Sequence, residues 1–320
     1  MNTQKKSLEE GLKSLAERLN LEDLSQTFYF PKYFELETIR ACNARCTMCT
    51  IPQWTTKGSK MQESLFSKIS EEMSHYSGWI NSVCLSRNGE PLLDKTLAEK
   101  IKILKHYGIK NVTFSTNASL LYEEKARELI ESGLDDIRFS VDGATKETFE
   151  AVRKGLKYEE VLENCLRFIQ LRNERGHIPR VQIRMVLQKA NCHEEQVWRD
   201  FWKSKVSKND IVYSKTMASW GNQLDSYEGQ KEIDRYALTP CISPWSTLIV
   251  HFNGKVPLCG CDFNHRVLLG DISTDSIQKV WQSQEYDNIR RLHASGNRNN
   301  IQLCRGCNIW DIEEKKVYNK

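Results

Sequence analysis

The stretch ELETIRACNARCTMC, residues 35–49, decides how this chain is interpreted. A strand-like run at about 34–40 leads directly into three cysteines, Cys42, Cys46 and Cys49, with the spacing Cys-x3-Cys-x2-Cys. A tight loop after a strand brings three thiolates together. Three thiolate ligands on a four-iron cluster leave one iron open, and an open metal position is what catalysis requires. A zinc site and three packed core thiols are the alternative interpretations of this loop.

The bulk composition is that of an ordinary soluble protein. The 320 residues are 39% hydrophobic and 28% charged, with a formal net charge of +4, and this balance gives no indication of nucleic-acid binding. No apolar run reaches the roughly 20 residues that a membrane span needs. The first residues are helical and charged, and they lack the apolar core and cleavage site of a secretory signal. We therefore expect a cytoplasmic protein that binds neither nucleic acid nor membrane.

Eleven cysteines are the exception to this ordinary composition. Three lie within residues 42–49 and five in the last quarter of the chain, whereas Cys84, Cys165 and Cys192 are scattered. In a reducing compartment, cysteines clustered at short spacings indicate metal or iron–sulfur ligands rather than disulfides. Cys84 lies in an apolar strand, so we expect it to be a core residue and not a fourth ligand of the first group.

Strands and helices alternate along the first two thirds of the chain. Short apolar runs rich in β-branched residues predict six strands, at about 34–40, 83–87, 111–117, 136–142, 180–188 and 209–215. Helical segments separate most of them, and a further helix at 7–20 precedes the first strand. This alternation predicts a parallel sheet with right-handed crossovers. The pattern alone fits an open doubly wound sheet and a partial barrel equally well.

The rhythm changes in the last third of the chain. Residues 216–238 are polar and irregular and are predicted to be a linker. The sequence WSTLIVHFNGKVPLC, residues 245–259, predicts two strands around Asn253-Gly254, a dipeptide typical of hairpins. Residues 276–296 predict a helix. The predicted domains are a helical extension at 1–33, a βα region at 34–215, the linker at 216–238 and a C-terminal domain at 239–320.

The cysteine loop and the strand ends resemble the radical S-adenosylmethionine (radical SAM) superfamily. GEP at 89–91 is similar to the family's glycine–glutamate motif that contacts the SAM amino group, although Asn88 stands where a glycine is usual. STN at 115–117 and SVDG at 140–143 would lie at the carboxyl ends of parallel strands, where ligands bind. The resemblance therefore implies an α/β fold with a partial (β/α)6 barrel of the TIM type.

The resemblance also implies a set of cofactor contacts. These are Met48, Gly89, Glu90, Pro91, Ser115, Asn117, Ser140, Asp142 and Arg153. Arg153 would pair with the SAM carboxylate, because a guanidinium fork suits that group. Each residue also has an ordinary alternative, as a helix cap, a turn or loop-packing residue, or a solvated helix charge.

A second group of cysteines lies in the C-terminal part and comprises Cys241, Cys259, Cys304 and Cys307. With Gly254 and the terminal CRGC, it resembles the SPASM and Twitch domains of radical SAM enzymes, in the shorter Twitch-like α+β form that holds one extra four-iron cluster. A zinc ribbon with two cysteine pairs is the alternative. Cys261 is left over, and three roles compete for it: a small packing residue, a replacement ligand, or a hydrogen donor to a substrate radical.

The resemblance further implies cofactors and a class of reaction. The cofactors are SAM and two 4Fe–4S clusters, one that binds SAM and one auxiliary, with an electron donor such as flavodoxin or ferredoxin. A 5′-deoxyadenosyl radical would abstract hydrogen from a sugar- or aminocyclitol-like substrate, giving dehydrogenation or epimerisation by an oxidoreductase or epimerase.

Two other functions stay open. A radical SAM maturase acting on a ribosomal peptide or protein is the first alternative, although the residues before the first strand are fewer than the about 50 of an independent peptide-binding domain. A non-catalytic metal-binding module is the second. Arg184, Trp220 and Asn222 are candidate substrate contacts.

Overall fold

The computed structural model describes residues 8–56, 58–224, 238 and 240–307. Their strands are β1 (Tyr33–Leu36), β2 (Ser82–Cys84), β3 (Val112–Thr116), β4 (Asp136–Ser140), β5 (Arg180–Leu187), β6 (Ile211–Thr216), β7 (Thr247–Val250), β8 (Lys255–Pro257) and β9 (Leu268–Asp271). Seven of these strands form one parallel sheet in the order β6-β5-β4-β3-β2-β1-β7. The six strands predicted from the sequence are all present, and the α/β partial-barrel fold class is confirmed.

Helices cross over between the strands, as a parallel sheet requires. The described residues form α1 (Leu8–Arg18), α2 (Glu63–Ser74), α3 (Leu97–His106), α4 (Glu123–Glu131), α5 (Lys146–Val152), α6 (Tyr158–Asn173), α7 (Glu195–Lys203), α8 (Ser243–Ser246), α9 (Ile277–Trp281) and α10 (Gln284–Ala294). The crossover helices bury apolar faces against the sheet; Phe168 of α6, for example, meets Phe139 of β4 edge to face, with ring centroids 5.5 Å apart.

The register of the sheet sets which side chains share one end of the barrel. Ser115 of β3 lies beside Arg138 of β4, and Ser140 of β4 lies beside Arg184 of β5. Because side chains alternate along a strand, these four point to the same face. That face is the interior of the barrel, since Phe114, Ile137, Phe139 and Ile183 between them belong to the hydrophobic core on the other side.

The two strands predicted around Asn253-Gly254 are present as β7 and β8, but they do not pair with each other as a hairpin. A turn does form, with His251 N donating to Lys255 O at 3.0 Å. However, β7, which precedes this turn, pairs in parallel with β1, and β8, which follows it, pairs antiparallel with β9. The apolar run of β7 is almost fully buried, so the free edge of β1 offers it both ladder hydrogen bonds and a core. The C-terminal part of the chain thereby completes the barrel sheet.

The single helix predicted at 276–296 is divided in two. Ser283 caps α10, its hydroxyl accepting a hydrogen bond from Tyr286 N at 3.4 Å, and the chain turns between α9 and α10. A serine followed by a run with acidic residues is an N-cap signal inside the predicted helix. Helix α2 was not predicted at all.

The remaining structural predictions stand as follows. Residues 225–237 of the predicted linker, residues 1–7 and residues 308–320 lie outside the described residues. The domain boundaries stay predictions. No helix in the described part of the chain combines the length and apolar character that crossing a bilayer demands.

Candidate functional site

A cavity of about 310 Å³ lies at the carboxyl ends of the parallel strands. The three cysteines of the first loop form part of its wall, and the ends of the strands form the rest. Sequence-predicted residues in this wall are Cys42, Met48, Cys46, Cys49, Gly89, Glu90, Ser115, Asn117, Ser140, Arg153, Arg184, Trp220 and Cys261. Thus residues from eight parts of the sequence meet in one space.

The cysteine loop after β1 is held by hydrogen bonds within its own backbone and by a hydrogen bond to the last residue of α5. Within the loop, Ala44 N donates to Cys42 Sγ at 3.4 Å and Cys49 N donates to Cys46 O at 3.1 Å. Thr47 N donates to Val152 O at 3.0 Å. These bonds hold the loop in a conformation that places all three cysteines in the cavity wall.

Asn117 fixes the other side of this loop. Its Nδ2 donates to Asn43 Oδ1 at 2.9 Å, and Asn43 Nδ2 donates to Ser119 Oγ at 2.8 Å. The predicted strand-end residue Asn117 therefore ties β3 to the cysteine loop as well as lining the cavity.

Arg153 is a basic side chain that contacts the first cysteine group. Its Nε and Nη2 donate to Asp142 Oδ2 at 2.6 and 2.5 Å, and its Nη1 lies 3.5 Å from Cys46 Sγ. Burial lowers the pKa of Arg153, but the Asp142 carboxylate and the Cys46 thiolate outweigh it and raise the pKa. Asp142 is itself buried behind the cavity wall, so it positions the arginine instead of facing the cavity.

The GEP segment approaches the loop so closely that only glycine fits at residue 89. Gly89 has φ of +116°, and a Cβ there would lie 2.5 Å from Ile39 O and 2.7 Å from Ala41 O. Glu90 N donates to Ala41 O at 2.8 Å. The backbone contact with the cysteine loop therefore requires the glycine predicted from the motif, and the same contact positions Glu90 beside that loop.

The Glu90 carboxylate already has partners in the protein. It accepts hydrogen bonds from Thr116 Oγ1 at 2.6 Å, Asn117 N at 2.7 Å and Leu92 N at 3.1 Å. Burial raises its pKa, and these bonds oppose the rise. Any contact of Glu90 with an ammonium group must use the remaining lone pairs of the carboxylate or the backbone carbonyl.

Asn88, which stands where a glycine is usual, is buried in the cavity wall, and its Nδ2 lies 3.4 Å from His251 Nε2. Two other predicted residues lie away from the wall. Pro91 begins a buried turn behind Glu90. Asn222 donates from Nδ2 to Arg305 O, so it holds the terminal CRGC loop.

The predicted aromatic and methionine contacts do reach the cavity. Met48 is buried against Val152, Val186 and Met217 and lines the cavity wall. Trp220 also lines the wall, with the Arg87 guanidinium 5.4 Å from its ring centroid.

A second cavity, of about 180 Å³, lies on the other side of the Glu35–Arg87 ion pair. Its wall contains the five C-terminal cysteines, Cys241, Cys259, Cys261, Cys304 and Cys307. They come from three separate parts of the sequence, whereas the first three cysteines share one loop. The structure therefore brings together the second group as predicted, with Cys261 among its members.

Two basic side chains stabilise the second cavity. Arg298 is buried and its Nη2 donates to Cys304 O at 3.0 Å and to Cys307 O at 3.2 Å. His293 accepts from Cys241 N at Nδ1, 3.0 Å away, which leaves a proton on Nε2, 3.7 Å from Cys304 Sγ. Burial, and then Arg298, lower the pKa of His293 to about 3, so this imidazole is neutral.

The cysteines of both groups suit iron–sulfur clusters, which bind cysteine as thiolate. All eleven cysteines are free of disulfides. Burial raises the pKa of Cys42 and of Cys241 to about 12, and neighbouring thiolates add to both shifts. Iron–sulfur binding removes the thiol protons and gives the clustered sulfurs a positive partner. The donor sets, three and then four or five thiols facing a cavity, fit two iron–sulfur clusters.

Cys261 lies in the wall between the two cavities. It is buried, lines both spaces, and its backbone oxygen accepts from Gln223 Nε2 at 2.8 Å. Hydrogen bonding with Cys259 and Cys307, followed by burial, raises the pKa of Cys261 well above its usual range. The Cys261 side chain therefore lies beside the second cysteine group and in the wall of the first cavity.

Sequence reasoning did not identify the charged side chains deeper in the barrel. Glu35, Arg87, Arg138 and Lys215 all line the first cavity. Arg138 stands in the middle of the strand DIRFS (136–140), and a charged residue between the apolar Ile137 and Phe139 was the available signal.

With this geometry described, comparison with known proteins assigns the family. The model of the radical SAM superfamily matches residues 36–193, and that of the SPASM iron–sulfur cluster-binding domain matches residues 241–308. The chain belongs to the radical SAM superfamily and carries a C-terminal SPASM domain. The radical SAM domain binds a 4Fe–4S cluster and SAM, and the SPASM domain binds auxiliary iron–sulfur, which favours iron–sulfur over the zinc-ribbon alternative.

Individual relatives are distant. The S-adenosyl-L-methionine-dependent 2-deoxy-scyllo-inosamine dehydrogenase of Niallia circulans is 22% identical over 288 residues, 89% of this chain and 95% of the dehydrogenase. Other curated relatives, including a cofactor-modifying protein of Pyrococcus furiosus, match half of this chain or less, and the match spans less than half of their own length.

Two solved structures share the fold. BtrN in complex with AdoMet and 2-DOIA has a TM-score of 0.58 at 20% identity, over 87% of this chain and 93% of BtrN. Streptococcus suis SuiB bound to the precursor peptide SuiA has a TM-score of 0.68 at 13% identity, over 87% of this chain and 69% of SuiB. At these identities the likeness concerns the fold alone.

Proposed function

We propose that this enzyme abstracts a hydrogen atom from a sugar- or aminocyclitol-like substrate and completes a dehydrogenation or an epimerisation. The observation that carries the proposal is a cavity shared by the cysteine loop and the barrel interior, with serine, asparagine and arginine side chains among the apolar residues of its wall. A few placed hydrogen-bonding groups in a concave site suit a hydroxylated small molecule. The match to a cyclitol dehydrogenase along 95% of its length supports the same class.

Cys42, Cys46 and Cys49 are proposed to hold the first cluster, and Cys241, Cys259, Cys304 and Cys307 the auxiliary one. When cluster and SAM are bound, the first site supplies a 5′-deoxyadenosyl radical that removes the hydrogen atom. The protein's task is to hold one C–H bond near the cofactor and to exclude water.

Arg153 and Glu90 frame the proposed SAM position. Arg153 lies between Cys46 and Asp142, so its fixed charge offsets the thiolates and leaves donors for a carboxylate. Glu90 stands above the cysteine loop through the Gly89 contact. Met48, Ser115, Asn117 and Ser140 complete the wall.

The fate of the substrate radical depends on the wall between the two cavities. In a dehydrogenation, the radical at a hydroxyl-bearing carbon loses the hydroxyl proton and one electron, and the auxiliary cluster is the proposed acceptor. In an epimerisation, the radical takes a hydrogen atom on its opposite face. The Cys261 thiol, which lines both cavities, is the proposed hydrogen donor for that second outcome. The thiyl radical left on Cys261 would be restored by one electron from the external reductant and one proton from solvent.

A peptide substrate is the second candidate. It rests on the shared fold with SuiB, which is solved with its precursor peptide. The dehydrogenase match along nearly the whole chain favours the small substrate over the peptide.

The test is isotope transfer in the reconstituted enzyme. Cyclitols and sugars deuterated on ring carbons are incubated with SAM and a strong reductant, and 5′-deoxyadenosine is examined by mass spectrometry. Deuterium in 5′-deoxyadenosine with a ketone product supports dehydrogenation, and one solvent hydrogen on an inverted carbon supports epimerisation. Deuterium transfer only from a peptide establishes the second candidate. No 5′-deoxyadenosine under any condition leaves the non-catalytic module.

A further inference from the structure

Two arginines face the substrate end of the cavity without an acidic partner. Arg138 donates to Gln182 Oε1 at 3.2 Å and to Ser115 Oγ at 3.1 Å. Arg184 donates from Nη2 to Ser140 Oγ at 2.8 Å, and its buried Nε has no partner. Within the described residues, neither guanidinium has a carboxylate within 4.0 Å, the ion-pair limit that the other buried arginines of this barrel meet.

The other charges of the cavity are already balanced by the protein. Arg87 pairs with Glu35 at 2.7 Å, and Arg153 pairs with Asp142. The Glu90 carboxylate is held by three neutral donors. Among the described residues, Arg138 and Arg184 are therefore the two guanidinium groups of this cavity wall that have no ion-pair partner.

The two guanidinium groups influence each other as well. Burial lowers the pKa of Arg184, and the nearby charges of Arg138 and Arg153 also lower it, whereas Tyr213 and Asp142 oppose the shift. Placing like charges together in a low-dielectric interior destabilises the empty site. An anion bound between them would remove that repulsion and give the orphan Nε of Arg184 an acceptor. A planar guanidinium binds phosphate and carboxylate through two parallel hydrogen bonds.

The position of this pair separates it from the proposed SAM site. Arg153, and not Arg138 or Arg184, makes the contact with a cysteine of the first loop. Arg138 lies deeper, where its pKa, lowered by burial, is raised by Tyr213, Cys84, Asp136 and Glu35, from the strand segments below the loop. Within the described part of the chain, Arg138 and Arg184 thus line the cavity without a contact to the first cysteine loop, which leaves them available to a substrate.

We infer that Arg138 and Arg184 bind an oxyanion of the substrate, either a phosphate ester or a carboxylate. The enzyme then acts on a negatively charged sugar or cyclitol and not on a neutral one. This inference rests on the proposed function, because it assigns the substrate class of the same cavity. The two oxyanions share the bidentate chemistry, and the experiment distinguishes them.

The experiment is calorimetric titration of the reconstituted enzyme, with SAM bound, using three matched probes: glucose, glucose 6-phosphate and glucuronate. We expect at least one charged probe to bind ten times or more tightly than glucose. Preference for the phosphate or for the carboxylate identifies the oxyanion. Binding requires no hydrogen abstraction, so this result is independent of whether the proposed reaction occurs.

Variants locate the anion site. The double variant Arg138→Gln/Arg184→Gln should lose the preference for the charged probe, and Arg138→Lys/Arg184→Lys should keep part of it. Arg180→Gln is the matched control, since Arg180 lies on β5 but is half exposed and pairs with Asp136 outside the cavity wall. Iron content and the melting temperature of each variant check folding.

Three results would overturn the inference. The first is equal or absent binding of all three probes by the wild type. The second is an unchanged preference in the double glutamine variant. The third is a tenfold weaker SAM affinity in that variant, which would assign the two arginines to the SAM carboxylate instead.

Discussion

The two cysteine groups use the same ligand but are built in opposite ways. The first takes three thiols from one loop of eight residues and opens into the larger cavity. The second takes five thiols from three parts of the sequence and encloses a smaller one. One loop can leave a coordination position free, whereas thiols arriving from several directions can close a cluster on all sides.

This difference separates a cluster that can bind a reactant from one that can only transfer electrons or stabilise the fold. An open iron accepts an outside ligand, and a fully ligated cluster accepts only electrons or holds the fold together. The Glu35–Arg87 ion pair and Cys261 stand between the two spaces. Changes confined to one cysteine group should therefore remove one property and leave the other in place.

The largest effect is expected from replacing the first group. Cys42, Cys46 and Cys49 changed together to alanine should lower the iron content from about eight to about four per chain and abolish 5′-deoxyadenosine formation. The remaining irons report the auxiliary cluster and serve as the internal control for folding. Iron analysis and product chromatography measure both. Loss of all iron from this variant would mean that the two sites do not assemble independently.

Replacing the terminal pair should give the complementary result. Cys304→Ala with Cys307→Ala removes two proposed ligands, so about four irons should remain. SAM cleavage should continue, because the first loop is intact, while formation of the substrate's ketone falls at least about 100-fold for want of an electron acceptor. If ketone formation were undiminished, the auxiliary cluster would have no part in the oxidation.

A smaller effect is expected from the buried arginine behind the terminal loop. Arg298→Gln removes hydrogen bonds to the carbonyl oxygens of Cys304 and Cys307, so the auxiliary cluster should be lost to a chelator about 10–100 times more readily. Arg305→Gln is the matched control, because Arg305 lies in the same loop but is exposed. Equal rates of iron loss in the two variants would contradict a supporting role for Arg298.

The smallest effect on iron is expected at Cys261. Cys261→Ser should retain about eight irons, whereas Cys259→Ser should retain about four. In an epimerisation, Cys261→Ser should also lose solvent hydrogen incorporation at the inverted carbon. Cys192→Ser, an exposed thiol outside both cavities, controls for general thiol loss. A drop in iron in Cys261→Ser alone would exchange the roles of the two cysteines.

Local patterns carried most of the prediction. The six barrel strands, the cysteine loop and the crossover helices other than α2 are short-range features that could be predicted from the sequence. The pairing of β7 with β1 could not, because its apolar run suits a local hairpin and a distant sheet edge equally. The division of the last helix depended on one cap, Ser283.

The site shows the same limit. Gly89 followed from its motif, and the backbone contact explains why glycine is needed there. The proximity of Arg138 to Arg184 depends on the register between β4 and β5, which the sequence does not specify. Their shared lack of a carboxylate partner in the described residues is a property of the assembled barrel, and only the structure reveals it.

The central claim is that the first cysteine group leaves an iron open for SAM and the second does not. Electron paramagnetic resonance of the reduced enzyme tests this claim most directly, using the two variants that each retain a single cluster. We predict that added SAM changes the spectrum of Cys304→Ala/Cys307→Ala, which keeps the first cluster, and leaves that of Cys42→Ala/Cys46→Ala/Cys49→Ala unchanged. A SAM-dependent change in the second variant, or none in the first, would contradict the claim.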